Sequence, residues 1–456
     1  MQELRRSLGL FDVALFFAIA CTNLQWVATA AAAGPSSIPV WIIGGVVMFM
    51  PIAVVVMHLS KLYPEEGGMY VWAKRAFGPF AGYMTGWTYW CTNLPYFPAL
   101  LYFMAGNALF IAGGTANHLA TSPAYFIGVS LAAFTVATVL NVIGLDVGKW
   151  LNNIGSISRL AVTLMLIAFG LFAWAKFGSA TAITAATMRP SLHLKDVIFW
   201  TVIIFAWTGA EGIPFMAGEV RNPRRNIPLG LALAVPCIAA IYILGTVSVL
   251  VALPPAHVSS LFGVMQAIAQ IANGMRVRWL TVVAAVLVTV SCLGSAGAWL
   301  GIAARIPFVA GIDRYLPAAF GRLHPRWGSP VVALLTQAGI STLFILLGQG
   351  GTSVKGAYNV LVSATVLITM VPFFVVFSAA LKLGKNRVVS FAACVGLLVT
   401  AASLVLSAVP AEDEPNKPLA IAKVLILTAV TLGAGAVFYG AGRRSQSRLL
   451  SSPATK

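Results

Sequence analysis

The stretch FWTVIIFAWTGAEGIPFMAGEV, residues 199–220, decides how this chain is read. Phe199 to Trp207 are nearly all apolar, as a segment facing hydrocarbon or a protein core must be. Then Gly209, Glu211, Gly212 and Pro214 interrupt the run. Proline lacks an N–H and its ring clashes with the preceding turn, and glycine holds a helix weakly. A helix is therefore predicted to open between Thr208 and Ile213. A carboxylate at membrane depth is costly unless paired, protonated or wet. Glu211 is either a functional group at a cavity or a protonated acid bonded to a neighbouring helix. Opened backbone survives in lipid only where protein buries it or a cavity receives it. An ordinary proline kink is the plainer alternative, and the two glycines beside Glu211 favour an opening.

The rest of the chain has the same character. Of its 456 residues 59% are hydrophobic and 9% charged, whereas soluble domains carry about 25% charged residues. Mean hydropathy is +0.90. The composition specifies a polytopic membrane protein with no separate soluble domain. A crossing helix needs about 20 apolar residues, and a dozen with short loops use up the chain. Twelve spans are placed near 10–33, 38–60, 80–112, 123–144, 156–176 and 195–217, then 229–253, 279–308, 330–348, 356–381, 388–409 and 420–441. Hydrophobicity all round, rich in Gly and Ala, predicts helices; barrel strands would alternate. The N-terminus has the basic-then-apolar look of a signal peptide but no clear cleavage site, so it is read as a retained first span.

The net charge of +17 does not indicate nucleic acid, because the bases sit in short clusters between apolar runs. With the N-terminus inside, most Lys and Arg, among them Arg5, Arg6, Lys74, Arg159, Arg225 and Arg322, fall on cytoplasmic flanks. Lys176, Arg189, Arg276, Lys355 and Lys423 are among the few outside. That asymmetry predicts both termini in the cytoplasm. Five cysteines lie in apolar runs without CxxC spacing, and no HExxH, Walker A or Rossmann pattern occurs. Neither metal, cofactor nor enzyme chemistry is expected.

Of the twelve carboxylates only Glu211 falls deep in a span, which makes it the one expected deep ionisable group and the candidate for proton coupling. The first span carries the other polar interruption, Cys21, Thr22, Asn23, Leu24, Gln25. Asn and Gln at that depth either bond across helices or face a cavity. Spans one and six hold equivalent places if ten helices form two halves, and paired interruptions point to a midplane site between inverted repeats. Span three adds Trp87, Tyr89, Trp90, Asn93 and Tyr96, of which Trp90 and Asn93 join the candidate site. Span eight ends SCLGSAGAW at Trp299, its small residues permitting close helix approach.

Three further stretches carry a resemblance. YPEEGGMYVWAKRAFGPFAGYMTGWTYW (63–90), GAEGIPFMAGEVRNPRRNIPLG (209–230) and CLGSAGAW (292–299) with RYLPAAFGRLHPRWGSPV (314–331) occur in the order found in amino acid–polyamine–organocation permeases. The chain resembles that superfamily over about residues 10–383. ACTNLQWVATAAAAGPSSIPVW (20–41) looks most like its bacterial glutamate/GABA-antiporter-like branch. The resemblance implies an all-α fold with a five-plus-five inverted repeat, about 10–176 and 195–381, discontinuous helices one and six, and accessory helices at about 388–441. It implies alternating access around a site that carries over to Cys21, Thr22, Asn23 and Gln25, and to Thr208, Gly209, Ala210, Glu211 and Gly212. Trp299 falls on a substrate-facing aromatic. The expected function is secondary transport of amino acids or related amines. A polyamine importer, or a receptor or channel of the same fold, are the rivals. Two departures stand out. CTNLQ has no glycine where many permeases use bare N–H groups for a substrate carboxylate. Some members place a sodium-mimicking lysine in span five, where this chain has Leu164, Met165 and Leu166.

Overall fold

A computed structural model describes residues 9–11, 13–14, 21–63, 68–113, 115–143, 145–190, 193–209, 211, 220–304, 306–309, 315–410 and 414–451. The regular elements among them are helices. Two half-length helices come from the interrupted runs: α1 (Leu24–Ala32) and, further on, α7 (Leu194–Ala206). At 1.5 Å per residue they span about 14 and 20 Å, short of the roughly 30 Å hydrocarbon core. Between them run α2 (Ser37–Leu62) and α4 (Pro79–Ala112), joined through α3 (Met69–Phe77). Next come α5 (Pro123–Ile143) and α6 (Leu145–Phe177). After α7 come α8 (Pro223–Ala252), α9 (Gly263–Gly274) and α10 (Trp279–Ala303). The chain closes with α11 (Val331–Gln349), α12 (Val354–Leu383), α13 (Arg387–Leu406) and α14 (Lys417–Ser451).

Among the described residues ten helices are long and apolar enough to cross a bilayer. Each coincides with one of the expected spans, and the first and sixth runs are described only in part. One boundary differs in a way that reaches the site. The fifth span is expected over 156–176, with Arg159 close to its start and counted on the flank, but α6 starts at Leu145, so Arg159 lies about four turns into the helix. Two short helices were not expected. α3 buries Met69, Tyr70, Val71, Trp72, Ala73 and Ala76 while Lys74 and Arg75 stay exposed. α9 buries Val264, Ala267, Ile268 and Ile271. Both are amphipathic and too short to cross, so a search for long apolar runs passes over them.

The apolar windows of α4 and α12 are buried over most of their length, those of α5, α6, α8 and α14 over little more than a quarter. α4 and α12 therefore form the centre, and the others present Val, Leu and Phe outward, as helices facing lipid do. Close crossings rest on small residues. A Cβ on Gly155 would lie 2.6 Å from the Cα of Gly294, which makes the α6–α10 crossing tight. α14 docks on α4 through Trp87, whose Nε1 donates to the Thr431 carbonyl at 2.9 Å.

An aromatic clamp positions α7. Trp41 of α2 stacks on Tyr242 of α8, centroids 4.1 Å apart and rings 5° from parallel, and its Nε1 donates to Thr246 Oγ1 at 3.0 Å. Trp207, just past α7, donates from Nε1 to the Trp41 carbonyl at 3.0 Å. Its ring lies against Gly44 and Gly45, where a Cβ would come within 3.0 and 3.2 Å. α2 has a π-helical turn at Gly45–Phe49, beside that ring.

Candidate substrate-binding site

Both interruptions are breaks in helix. Residues 21–23 are non-helical, and Asn23 caps α1 in an extended conformation (φ −141°, ψ 128°), accepting the Gln25 N–H. α7 ends at Ala206. Thr208 and Gly209 are non-helical, with Gly209 at φ 124°, a region where an L side chain is strained. A Cβ on Gly209 would lie 2.9 Å from Cys21 Sγ. The two breaks therefore touch, and only a residue without a side chain allows it.

Broken helices free backbone groups that must find partners when buried. Tyr242 donates its hydroxyl to the Cys21 carbonyl at 2.5 Å and shares it with the Ala206 carbonyl at 3.5 Å. Arg159 donates from Nη1 to the Thr22 carbonyl at 2.9 Å and from Nε to Ser291 Oγ of α10 at 3.4 Å. Arg159 is only 9% exposed. This corrects one expectation: Glu211 is not the one deep ionisable group, since the fifth span also carries the buried Arg159, while Leu164 faces outward at 55% exposure. A guanidinium is a permanent cation, so it serves here as a fixed charge tying α6 and α10 to the first break.

Glu211 is 4% exposed. Its Oε2 accepts the Gly209 N–H at 2.6 Å, and the Tyr89 hydroxyl hydrogen bonds to the carboxylate. Asn23 donates from Nδ2 to the Tyr96 hydroxyl at 3.3 Å, and Tyr96 meets Trp299 edge to face at 6.3 Å. Trp26 and Phe205 make a second edge-to-face pair at 5.2 Å.

These groups surround a cavity with about 670 Å³ of empty space, part of it continuous with solvent. Of the expected residues, Cys21, Asn23, Asn93, Thr208, Gly209, Glu211 and Trp299 line it. Thr22 contributes its carbonyl to Arg159 and does not line the cavity. Gln25 is 0% exposed, away from the lining, and neither polar atom of its amide has a hydrogen-bond partner. Trp90 is buried against Trp87 and is not part of the wall. Ala210 and Gly212 lie outside the described residues.

Sequence reasoning missed Trp26, Tyr89, Thr92, Tyr96, Phe205, Ala206, Ile306 and Thr369 as lining residues. Part of that was recoverable. Tyr89, Thr92, Asn93 and Tyr96 recur at helical spacing on one face of α4, and that period separates Tyr89 from its neighbour Trp90. Thr369 lies in a long apolar helix with no local signal. Among the described residues no group of three or more His, Cys, Asp or Glu could hold a metal ion.

A multi-pass bundle with two broken helices facing a small-molecule cavity defines a membrane transporter by class. The sequence profile of the amino acid permeases matches residues 8–435, and the chain belongs to that family. It is 30% identical over 438 residues, 91% of this chain and 92% of the relative, to an uncharacterized transporter of Legionella pneumophila. It is 23% identical to a probable agmatine/putrescine antiporter of Lactococcus lactis, over 91% of this chain and 90% of that protein. A glutamate/serine transporter of Bacillus subtilis is 24% identical, over 85% of this chain and 73% of the relative.

Proposed function

We propose that this permease is a secondary active transporter of amino acids or related amines that works by alternating access. In this reading it has twelve spans, a five-plus-five inverted repeat with accessory helices, both termini in the cytoplasm and a place in the cell membrane. The observation that carries it is the contact of the two breaks at Cys21 and Gly209, with Glu211 at the cavity wall. Backbone there is held by single side-chain contacts in place of helical ladders, so the two segments can shift relative to each other at small cost. Glu211 is the group that would exchange a proton or pair with a substrate ammonium.

Counterflow in proteoliposomes tests this. Preloaded unlabelled amino acid or amine should drive transient accumulation of the labelled compound, which demands alternating access; a channel or receptor gives none. Orientation is tested separately in a cysteine-free background. Cysteines at Arg225 and Arg322 should label only from the cytoplasmic side.

A second reading, an amine or polyamine exchanger, draws on two observations. CTNLQ lacks glycine N–H donors for a substrate carboxylate, and Glu211 supplies a negative charge for a substrate amine. The agmatine/putrescine antiporter among the relatives is in keeping with it. Competition by putrescine and agmatine against glutamate and serine separates the two.

A further inference from the structure

A second buried carboxylate lies far from the cavity. Glu414 precedes α14 and is only 7% exposed, and its Oε1 has no hydrogen-bond partner. It faces a small pocket between the start of α12, the end of α13 and the start of α14. Gly356, Asn359 and Ser363 of α12 line that pocket, at spacings that put them on one helical face. Along α12 it is about 15 Å from Thr369 of the main cavity, taking 1.5 Å per residue from Asn359.

A buried carboxylate without partners is costly, so the neighbouring groups able to neutralise it matter. Lys423 interacts with Glu414 electrostatically, but its ammonium is taken up by the Gly348 and Gly350 carbonyls and Thr352 Oγ1. The first turn of α12 does not bond it through Gly356, whose N–H donates to Ser353 Oγ at 3.0 Å. Gly356 is nevertheless in close contact: a Cβ there would lie 2.6 Å from Glu414 Oε2. The carboxylate thus sits against Gly356 in the wall of the pocket, with Oε1 unpartnered.

We propose that Glu414, with the side-chain oxygens of Ser363 and of Asn359, whose Oδ1 also accepts from Ser260 Oγ at 3.5 Å, binds a small monovalent cation of about sodium's size. The donors are hard oxygens, which suit alkali and alkaline-earth ions over soft metals. A pocket this small leaves no room for a hydration shell, which favours an alkali ion over Mg2+, an ion that dehydrates reluctantly. The pocket has room for a single water-sized guest, so an amino acid or polyamine does not fit. An ion here ties α12, α13 and α14 together at the end of the bundle. The site is separate from the transport cavity and does not depend on the transport reading.

The test is thermal unfolding of the purified full-length protein in detergent, without substrate. N-methyl-D-glucamine chloride is exchanged stepwise for NaCl at constant ionic strength, with KCl and MgCl2 in parallel. An ion that binds only the folded state raises the midpoint in a saturable way. Wild type should show that rise with NaCl and not with MgCl2. Glu414→Gln should lose it, and Asn359→Ala and Ser363→Ala should raise the half-saturating concentration about tenfold, the equivalent of 1.4 kcal/mol. Glu211→Gln should retain it. The proposal is overturned if wild type responds equally to every salt or to none. It is also overturned if Glu211→Gln abolishes the sodium response. Should Glu414→Gln not fold, unchanged titrations of Asn359→Ala and Ser363→Ala overturn it as well.

Discussion

The two helix breaks look alike in sequence but are held differently. At the first, the freed carbonyls of Cys21 and Thr22 are taken by side chains from elsewhere in the bundle, Tyr242 of α8 and Arg159 of α6. At the second, the Gly209 N–H is taken by Glu211, two residues along in the same segment. The first break is fixed by the scaffold. The second holds itself together with the carboxylate of Glu211, which also lines the cavity. In the proposed reading, a cation pairing with Glu211 shares the carboxylate that holds Gly209, which makes the second break the responsive one.

The largest effect is expected at the contact between them. Gly209→Leu should reduce uptake to background while the protein still inserts and elutes as a single species, because a Cβ at 2.9 Å from Cys21 Sγ forces the breaks apart. Wild-type uptake in this mutant would dissolve the comparison.

Next is the scaffold side. Arg159→Met leaves the Thr22 carbonyl without its guanidinium partner, at a cost of about 1–3 kcal/mol for a buried unsatisfied group. A lowered unfolding midpoint and lost transport should result. Arg159→Lys should recover part of both, since lysine keeps the charge but not the fork that reaches Thr22 and Ser291.

Glu211→Gln tests the responsive side and should fold normally, since an amide oxygen still accepts from Gly209. If Glu211 carries the proton, binding survives and the pH dependence of transport disappears. If it pairs with a substrate ammonium, affinity for cationic substrates falls at every pH. A mutant matching wild type in both would make Glu211 a structural hydrogen-bonding group.

Tyr242→Phe keeps the stack on Trp41 and removes the hydroxyl shared by Cys21 and Ala206. One such bond contributes about 1 kcal/mol, so a modest loss of stability and a slower transport rate are expected. The smallest effect belongs to Trp90→Phe. Trp90 is off the cavity wall and its Nε1 has no partner, so substrate affinity should be unchanged within error.

Much of this was readable in the linear chain. Glu211 beside Gly209 marked the second break, and the polar run from Cys21 to Gln25 marked the first. The unusual composition of that run did not reveal which side chains face the cavity. Asn23 does, as the cap of α1 and partner of Tyr96. Gln25 does not, although both are amides two residues apart.

Length and composition alone determined the helical membrane architecture, because a hydrocarbon solvent leaves long apolar segments no other way to satisfy their backbone. They also located both breaks, since glycine, proline and buried polar groups act on the backbone locally. The tertiary structure alone decided where the freed backbone groups go. Arg159 sits next to polar residues near an expected helix end and reads as a surface base. Only the early start of α6 and its tight crossing with α10 carry it to Thr22. Glu414 likewise reads as a loop acid until α12, α13 and α14 close around it. A charge's role depends on what packs against it across the bundle, and a sequence lists only its neighbours along the chain.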